Sequence, residues 1–174
     1  MIVPWEGKEP RLDGSVRMAA TASVVGDVTA GTGVSLWYGA VVRGDVSPIR
    51  IGRDTNIQDN AVIHGDPGVP TELGDQVSVG HSAVLHSCRV EDGCVIGMGA
   101  VVLRDCVIGA ESMVAAGAVV AGGAVIPPGS LVVGVPGRVK WALTTEERHK
   151  LRENAAEYLR LAEQLPLAER REEK

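Results

Sequence analysis

Three histidines lie close together in the chain and could hold one metal ion. His64, His81 and His86 fall within 23 residues, whereas His149 lies among charged residues and is expected to be solvated. Imidazole is the commonest protein ligand in catalytic zinc sites, where three protein ligands leave a fourth position open. The residue types therefore predict a site for Zn²⁺, with Fe²⁺ or Co²⁺ as other ions that imidazole accepts.

The direction of each histidine depends on a six-residue repeat. Neither a helix, with period 3.6, nor a half-buried strand, with period 2, explains it. Six residues suit one short strand and a tight turn, so three units make an 18-residue coil of a parallel β-helix. A small residue such as Gly97 often follows the aliphatic one, and we interpret it as permitting the turn. The repeat is clearest at Ile96, Val102, Ile108, Val114, Val120, Ile126 and Val132.

The same repeat extends towards the N-terminus, with one insertion and with steps of eleven residues, instead of twelve, from Ala40 to Ile51 and from Leu85 to Ile96. It occurs at Ile51, Ile57, Ile63, Leu73, Val79 and Leu85, and more weakly at Ala22, Val28, Val34 and Ala40. Four residues are inserted between Ile63 and Leu73, where Pro67, Gly68 and Pro70 predict an outward loop. We predict repeats over about 14–135, within a β-helix domain of residues 1–143.

Residues 144–174 predict a C-terminal amphipathic helix and a charged tail. Apolar residues recur at helical spacing over roughly 145–165, and Thr144 with Glu147 has the spacing of a capping box. Pro166 ends the pattern. The tail that follows is expected to fray.

Composition excludes several classes of function. The chain has a net charge of −5 and no basic stripe, so nucleic acid is not an expected partner. It has no run of about 18 apolar residues and no leader-like segment, which predicts a cytoplasmic protein without a membrane span. Three cysteines without metal-site spacing are expected to be reduced, small buried hydrophobes: Cys88, Cys94 and Cys106.

The phase of the repeat places the histidines in two groups. His64 and His86 each follow an inward aliphatic residue and lie 22 residues apart, one coil plus the insert. They should stack on adjacent strands about 4.8 Å apart and share one metal. His81 is one position out of phase, which reverses its direction. We therefore predict that a neighbouring subunit supplies His81, and threefold symmetry would create three such sites.

Polar residues surround the histidines in positions that repeats normally fill with apolar groups. Gln58 has the phase of His64, one strand earlier, so it is expected to line the same interface. Arg43 and Asp45 follow an apolar run and could form an ion pair across subunits.

Taken in order, these segments resemble the γ-class carbonic anhydrase family across nearly the whole chain. The resemblance implies a left-handed parallel β-helix of hexapeptide repeats with a C-terminal helix, assembled as a homotrimer. It also implies reversible hydration of CO₂ to bicarbonate by a metal-bound hydroxide, held by His64 and His86 of one subunit and His81 of the next. The segments are Trp37–Asp45, Ile49–Gly52, Asn56–Asp59, Ile63–His64, Val79–His81, Leu85–His86 and Ile96–Ala100.

The family resemblance also implies roles for other residues. Arg43, Asp45 and Asp59 match interface and site-shaping groups. Gln58 resembles the residue that positions the hydroxide, and Asn56 matches a polar position nearby. Tyr158 loosely matches a helix tyrosine that reaches the site, and packing of the helix is its alternative role.

The chain departs from the family pattern where protons must leave the site. The best-known members carry a glutamate-bearing acidic loop, whereas here the insert offers only Asp66 and Glu72, and Val46 stands where the fully active type has an acid. Two other functions remain open. One is a hexapeptide-repeat acyltransferase, and the other is a non-catalytic metal-binding trimer of the same fold.

Overall fold

The computed structural model describes residues 1–168. This part of the chain forms short strands followed by one helix, α1 (Thr145–Ala162). The strands are β1 (Ile2–Val3), β2 (Arg11–Leu12), β3 (Arg17–Met18), β4 (Ser23–Ala30), β5 (Ser35–Leu36), β6 (Val41–Ile51), β7 (Asn56–Ile57), β8 (Val62–His64), β9 (Thr71–Leu73), β10 (Ser78–Val79), β11 (Val84–His86), β12 (Arg89–Val90), β13 (Val95–Ile96), β14 (Val101–Val102), β15 (Val107–Ile108), β16 (Met113–Val114), β17 (Val119–Val120), β18 (Val125–Ile126), β19 (Ser130–Val133) and β20 (Arg138–Ala142).

The strands before β20 stack in parallel on three faces. The long strands β4 and β6 each span two faces. The first halves of β4 and β6 lie on the histidine face, together with β1, β8, β11, β14 and β17. The second halves of β4 and β6 lie on the charged face, together with β2, β9, β12, β15 and β18. The helix face runs from β3 to β20. Ile96 pairs with Val114 and Val102 with Val120, so one coil is 18 residues. The predicted parallel β-helix of hexapeptide repeats with a C-terminal helix is confirmed.

Each short strand contributes two inward side chains, two residues apart. The predicted aliphatic positions from Ile96 to Val132 are all buried, and so are the positions two residues earlier, such as Cys94 and Ala100, except for the partly buried Ala124. The three cysteines occupy this second position as free thiols, which confirms their predicted burial. In the early coils the predicted phase was wrong. Ala22, Val28, Val34 and Ala40 fill the second position, and the register-matched residues are Val24, Ala30, Leu36 and Val42.

The small residue after each aliphatic position is required by close packing of the coils. A Cβ atom on Gly97 would lie 2.5 Å from the backbone nitrogen of Ala116, well inside van der Waals contact. The turns take positive φ two residues later instead, as at Gly99. Our interpretation of Gly97 as the turn-forming residue was therefore wrong, although the need for a small residue at that position was correct.

The C-terminal segment closes the last coil and then runs back along the helix face. Thr144 caps α1 through the predicted capping box with Glu147. The helix begins near Gly129, whose carbonyl accepts the N–H of Leu143 (2.6 Å), and the chain after it reaches the first coil, where Arg17 donates to the carbonyl of Leu165 (2.6 Å). The described residues contain no helix long and apolar enough to cross a membrane. The tail predicted to fray lies largely beyond residue 168, outside the described residues.

One strand was missed by the sequence analysis. β20 pairs antiparallel with β19, after a turn that contains the cis peptide bond Val135–Pro136. All five of its residues are exposed, and the alternation from Arg138 to Ala142 was the signal available for it.

The buried thiols make a prediction about alkaline stability. Burial raises the pKa of Cys94 to about 12, whereas an unfolded thiol ionises near pH 8.5. Thiol ionisation favours the unfolded chain as soon as the pH exceeds the unfolded pKa, so stability falls as pH rises from about 9 to 12. One such thiol contributes a slope of about 1.4 kcal/mol per pH unit.

We expect Cys94→Ala to reduce this slope by about 1.4 kcal/mol per pH unit between pH 9.5 and 11. Urea unfolding at pH 8, 9.5 and 11 measures it. Ser112→Ala is the matched control, because Ser112 occupies the equivalent inward position one coil later and carries no thiol. An unchanged slope in Cys94→Ala would contradict the prediction.

Candidate metal centre

His64 and His86 stack on neighbouring strands of the histidine face, as the repeat phase predicts. The two residues pair directly in the register of β8 and β11, and their ring centroids lie 5.2 Å apart. Nδ1 of His64 and Nε2 of His86 approach to 3.3 Å. Two ring nitrogens therefore converge on one point at the surface of this face.

The other nitrogen of His64 is fixed by a carboxylate. Nε2 of His64 lies 2.9 Å from Oδ1 of Asp45, and an ionised carboxylate can only accept, so Nε2 carries the proton. Burial opposes ionisation of Asp45, but hydrogen bonds from His64 and the Val46 backbone, together with the Arg43 charge, hold its pKa below the usual value. In the neutral ring Nδ1 of His64 is therefore the unprotonated nitrogen, and it faces His86. This is the carboxylate–histidine arrangement common in metal sites.

Arg43 forms its ion pair with Asp45 inside the same chain. The predicted ion pair across subunits stays a prediction. The two residues are two positions apart on β6, so their side chains leave the same side of the strand and meet locally. Asp45 consequently contacts both Arg43 and His64 and links the ion pair to the histidine pair.

The distance between the two facing nitrogens suits a tetrahedral metal. Two ligands at 2.0–2.1 Å from a tetrahedral zinc lie about 3.3–3.4 Å apart, since the edge is about 1.63 times the bond length. The observed separation between His64 and His86 is 3.3 Å. Their nitrogens thus fit two adjacent vertices of a zinc site, and the donor chemistry fits Fe²⁺ and Co²⁺ as well.

His81 belongs to a different part of the surface, at the corner between the helix face and the histidine face. It follows β10 in a turn, and its side chain is 42% exposed, against 19% for His64. Nδ1 of His81 contacts Oδ2 of Asp59 at 2.7 Å, one coil earlier, so Nδ1 carries the proton. Nε2 is left unprotonated and directed away from its carboxylate.

Tyr158 of α1 reaches this corner. Its hydroxyl lies 3.4 Å from Nε2 of His81, and its ring packs edge-on against Trp37 at 5.5 Å between centroids. Burial and the nearby charge of Asp59 raise the pKa of Tyr158. The phenol therefore stays protonated at neutral pH and can donate to His81. The structure combines the two alternatives for Tyr158, since it both packs the helix and touches a predicted site residue.

Gln58 and Asn56 form a buried polar chain beside the His81 corner. Nε2 of Gln58 donates to Oδ1 of Asn56 (3.1 Å), and Nδ2 of Asn56 donates to Oγ of Ser78 (2.8 Å). Asn56, Gln58 and Ser78 are each at most 5% exposed. Ser78 was missed by sequence reasoning, and its only signal was a serine directly before the inward residue Val79. Gln58 is therefore oriented by its neighbours, with its carbonyl oxygen left for another donor.

The predicted site residues thus form two separate groups within one chain. Asp45, His64 and His86 lie on the histidine face, and Asp59, His81 and Tyr158 lie at the corner. Among residues 1–168, no three His, Cys, Asp or Glu side chains are arranged to hold one metal ion.

Apolar groups flank both of these groups. A column of in-register valines runs down the histidine face, and each is only partly buried: Val41, Val62, Val84, Val101 and Val119. At the corner, Tyr38 and Met98 are 54% and 59% exposed in turns that adjoin those of Asp59 and His81. Each histidine group is thus bordered by surface that water solvates poorly.

Comparisons with known proteins agree with this architecture. Residues 87–122 match the family model described as bacterial transferase hexapeptide (six repeats). The chain is 58% identical over 151 residues to a probable carbonic anhydrase of Methanocaldococcus jannaschii, covering 87% of this chain and 95% of that protein. It is 44% identical to the mitochondrial gamma carbonic anhydrase 2 of Arabidopsis thaliana, covering 90% of this chain and 58% of that protein.

A solved structure has the same fold over most of its length. It is described as a putative acetyltransferase of Bacillus cereus, and it superposes with a TM-score of 0.91 at 37% identity. The match covers 92% of this chain and 94% of that chain. The same architecture therefore carries two different functional descriptions, and the site residues must decide between them.

Proposed function

The chain belongs to the γ-class carbonic anhydrase family of hexapeptide-repeat proteins, and from this premise we propose that it hydrates CO₂ reversibly to bicarbonate. The observation that carries the proposal is the His64–His86 pair, whose facing nitrogens are 3.3 Å apart. Asp45 keeps the proton on the far side of His64, so the pair presents a metal-binding nitrogen. An acyl-transfer site has no need for two stacked imidazoles held in this way.

We propose that His64 and His86 of one subunit and His81 of the next hold a divalent ion, with Zn²⁺ as the first choice. Such an ion lowers the pKa of a bound water to about 7 and so supplies a nucleophile for CO₂ at neutral pH. Asp45 and Asp59 fix the tautomers of His64 and His81 so that neutral nitrogens face the site. The carboxylates also increase the basicity of these imidazoles.

The surface of the chain supports assembly as a homotrimer. The valine column beside the His64–His86 pair is an incompletely covered apolar surface, and the corner that carries His81 is flanked by the exposed side chains of Tyr38 and Met98. Seating the corner of one copy against the histidine face of the next would cover both surfaces. A contact that joins two different patches forms a ring when the rotation between copies closes, and we propose closure after three copies, which gives three equivalent sites.

The remaining polar residues would act on the substrate side. The side-chain hydrogen bonds from Gln58 to Asn56 and from Asn56 to Ser78 orient Gln58. We therefore propose that the side-chain carbonyl oxygen of Gln58 accepts a hydrogen bond from the reacting water. The protonated hydroxyl of Tyr158 borders the same corner and would donate to a substrate or product oxygen. Arg43 is held by Asp45 and would shape the approach from the histidine face.

We also propose a cytoplasmic location, because the three cysteines are free and buried as expected in a reducing compartment. The substrate pair would be CO₂ and bicarbonate. We propose no nucleic-acid partner, since the chain carries a net charge of −5.

The proposal is tested by stopped-flow CO₂ hydration on protein stripped of metal and then reloaded with Zn²⁺, or anaerobically with Fe²⁺ or Co²⁺. We expect about one metal per chain and hydration that disappears on stripping and returns on loading. His149→Ala is the matched control, because His149 is solvated and pairs only with Glu153 of its own helix turn among the described residues. This variant should retain metal and activity.

Two other outcomes identify the alternative functions. A chain that binds metal with every ion but never hydrates CO₂ would be a non-catalytic metal-binding trimer. A chain that binds no metal but binds coenzyme A would be an acyltransferase, the description given to the Bacillus cereus structure.

A further inference from the structure

The short insert after His64 places a carboxylate beside the third histidine. Nε2 of His86 faces His64, which leaves Nδ1 as the nitrogen that points away from the pair. Oδ2 of Asp66 lies 3.9 Å from this Nδ1. His64 and His81 already have a carboxylate at 2.9 and 2.7 Å on the corresponding nitrogen. Asp66 is thus the third member of a repeated arrangement, at a distance about 1 Å too long for a hydrogen bond.

The position of Asp66 is held from two sides. Its backbone N–H donates to Oγ of Ser87 at 2.6 Å, which ties the insert to the residue that follows His86. Its Oδ2 also accepts from Arg104 at 3.3 Å. The backbone is therefore anchored next to His86, while the carboxylate is shared between the histidine and the arginine. The carboxylate would have to approach Nδ1 by about 1 Å to form a hydrogen bond of typical length.

We propose that Asp66 is the positioning residue of His86, and that it favours the tautomer with the proton on Nδ1, in which Nε2 is available as a ligand, against the tautomer in which Nε2–H donates to Nδ1 of His64. A histidine whose far nitrogen lacks an acceptor can place its proton on either nitrogen, and only one of the two tautomers binds metal through Nε2. The insert would then contribute to the metal centre, although it lacks the acidic loop of the best-known family members. The effect on metal affinity rests on the proposed function, whereas the effect on the tautomer does not.

The affinity test uses two substitutions of Asp66 and one matched control. Asp66→Ala removes the acceptor, and we expect zinc affinity to fall about 10- to 100-fold, as measured by competition with a chromophoric chelator. Asp66→Asn keeps an acceptor oxygen without the charge and should give an intermediate loss. The control is Glu72→Gln, which removes the other carboxylate of the same stretch from the exposed side of β9 on the charged face. It should change affinity less than threefold.

The tautomer test is made on metal-free protein by long-range ¹H–¹⁵N correlation spectra of the histidine rings. In the wild-type chain a measurable fraction of His86 should carry its proton on Nδ1, because Asp66 competes for the proton with the unprotonated Nδ1 of His64. In Asp66→Ala the Nδ1-protonated fraction should fall and the Nε2-protonated form should predominate, with His149 unchanged as an internal reference. An unaltered His86 tautomer together with unaltered zinc affinity would overturn the inference and leave the proposed function standing. A wild-type chain without zinc affinity would overturn the proposed function, and the tautomer would still decide the role of Asp66.

Discussion

Mixing a His64→Ala chain with a His81→Ala chain should restore about a quarter of the metal sites, although neither variant alone should form a complete site. In the proposed ring, a site is intact when the chain that supplies its His64–His86 pair has an intact His64 and the neighbouring chain has an intact His81. At equal amounts and random assembly each condition holds half of the time, so about one site in four is complete.

Each variant alone should be strongly impaired. The free energy of Zn²⁺ binding at structural tetrahedral sites is about 10–16 kcal/mol, which is about 3–4 kcal/mol for each of four ligands. Losing one imidazole should therefore weaken zinc binding about 10²- to 10³-fold. CO₂ hydration should fall with metal occupancy. Co-refolding the two variants, isolating the trimer and measuring its zinc content and hydration rate gives the recovered fraction directly.

A second mixture provides the control. His64→Ala and His86→Ala both damage the facing pair, which the structure places on adjacent strands of one chain. Every site in that mixture lacks either His64 or His86, so no recovery of zinc content or hydration is expected. Failure of the first mixture to recover sites in well-mixed trimers would contradict the division of ligands between subunits, and recovery in both would contradict the pairing of His64 with His86.

The sequence was sufficient to predict the coil and the stacking of His64 on His86, because both depend only on the number of residues between repeat positions. An 18-residue coil places residues 18 apart in register, and the insert adds four, which matches the observed pairing of His64 with His86. The out-of-phase position of His81 predicted its separation for the same reason. Periodicity determines which residues are neighbours whatever their chemistry.

Other features could not be predicted because they depend on distances between coils or on local side-chain contacts. The early phase was misassigned, since Val24 and Ala22 are both buried and a repeat of small apolar residues does not distinguish the two inward positions. The need for Gly97 arises from the backbone of the next coil. The contact between Asp66 and His86 depends on the path of the insert, which has no repeat to define it.

Placing a charge in the valine column should dissociate the assembly and weaken metal binding together. Val84 lies between Val62 and Val101 in register and two residues before His86, with its side chain directed outward. Val84→Glu would bury one carboxylate in each proposed interface without a partner, at a cost of several kcal/mol for each. The separated chain keeps only His64 and His86, so its zinc affinity should fall at least about 100-fold.

Val107→Glu is the control that distinguishes loss of assembly from loss of folding. Val107 occupies the same position of the repeat, one residue before an inward aliphatic, but on the charged face between Arg89 and Val125. Light scattering should report a trimer for this control and a monomer for Val84→Glu, with matching circular dichroism for the two. A Val84→Glu trimer with full zinc affinity would contradict the interface, and dissociation of both variants would show that charge alone disrupts the assembly. One substitution therefore tests the metal centre and the subunit contact together, because both lie on the histidine face.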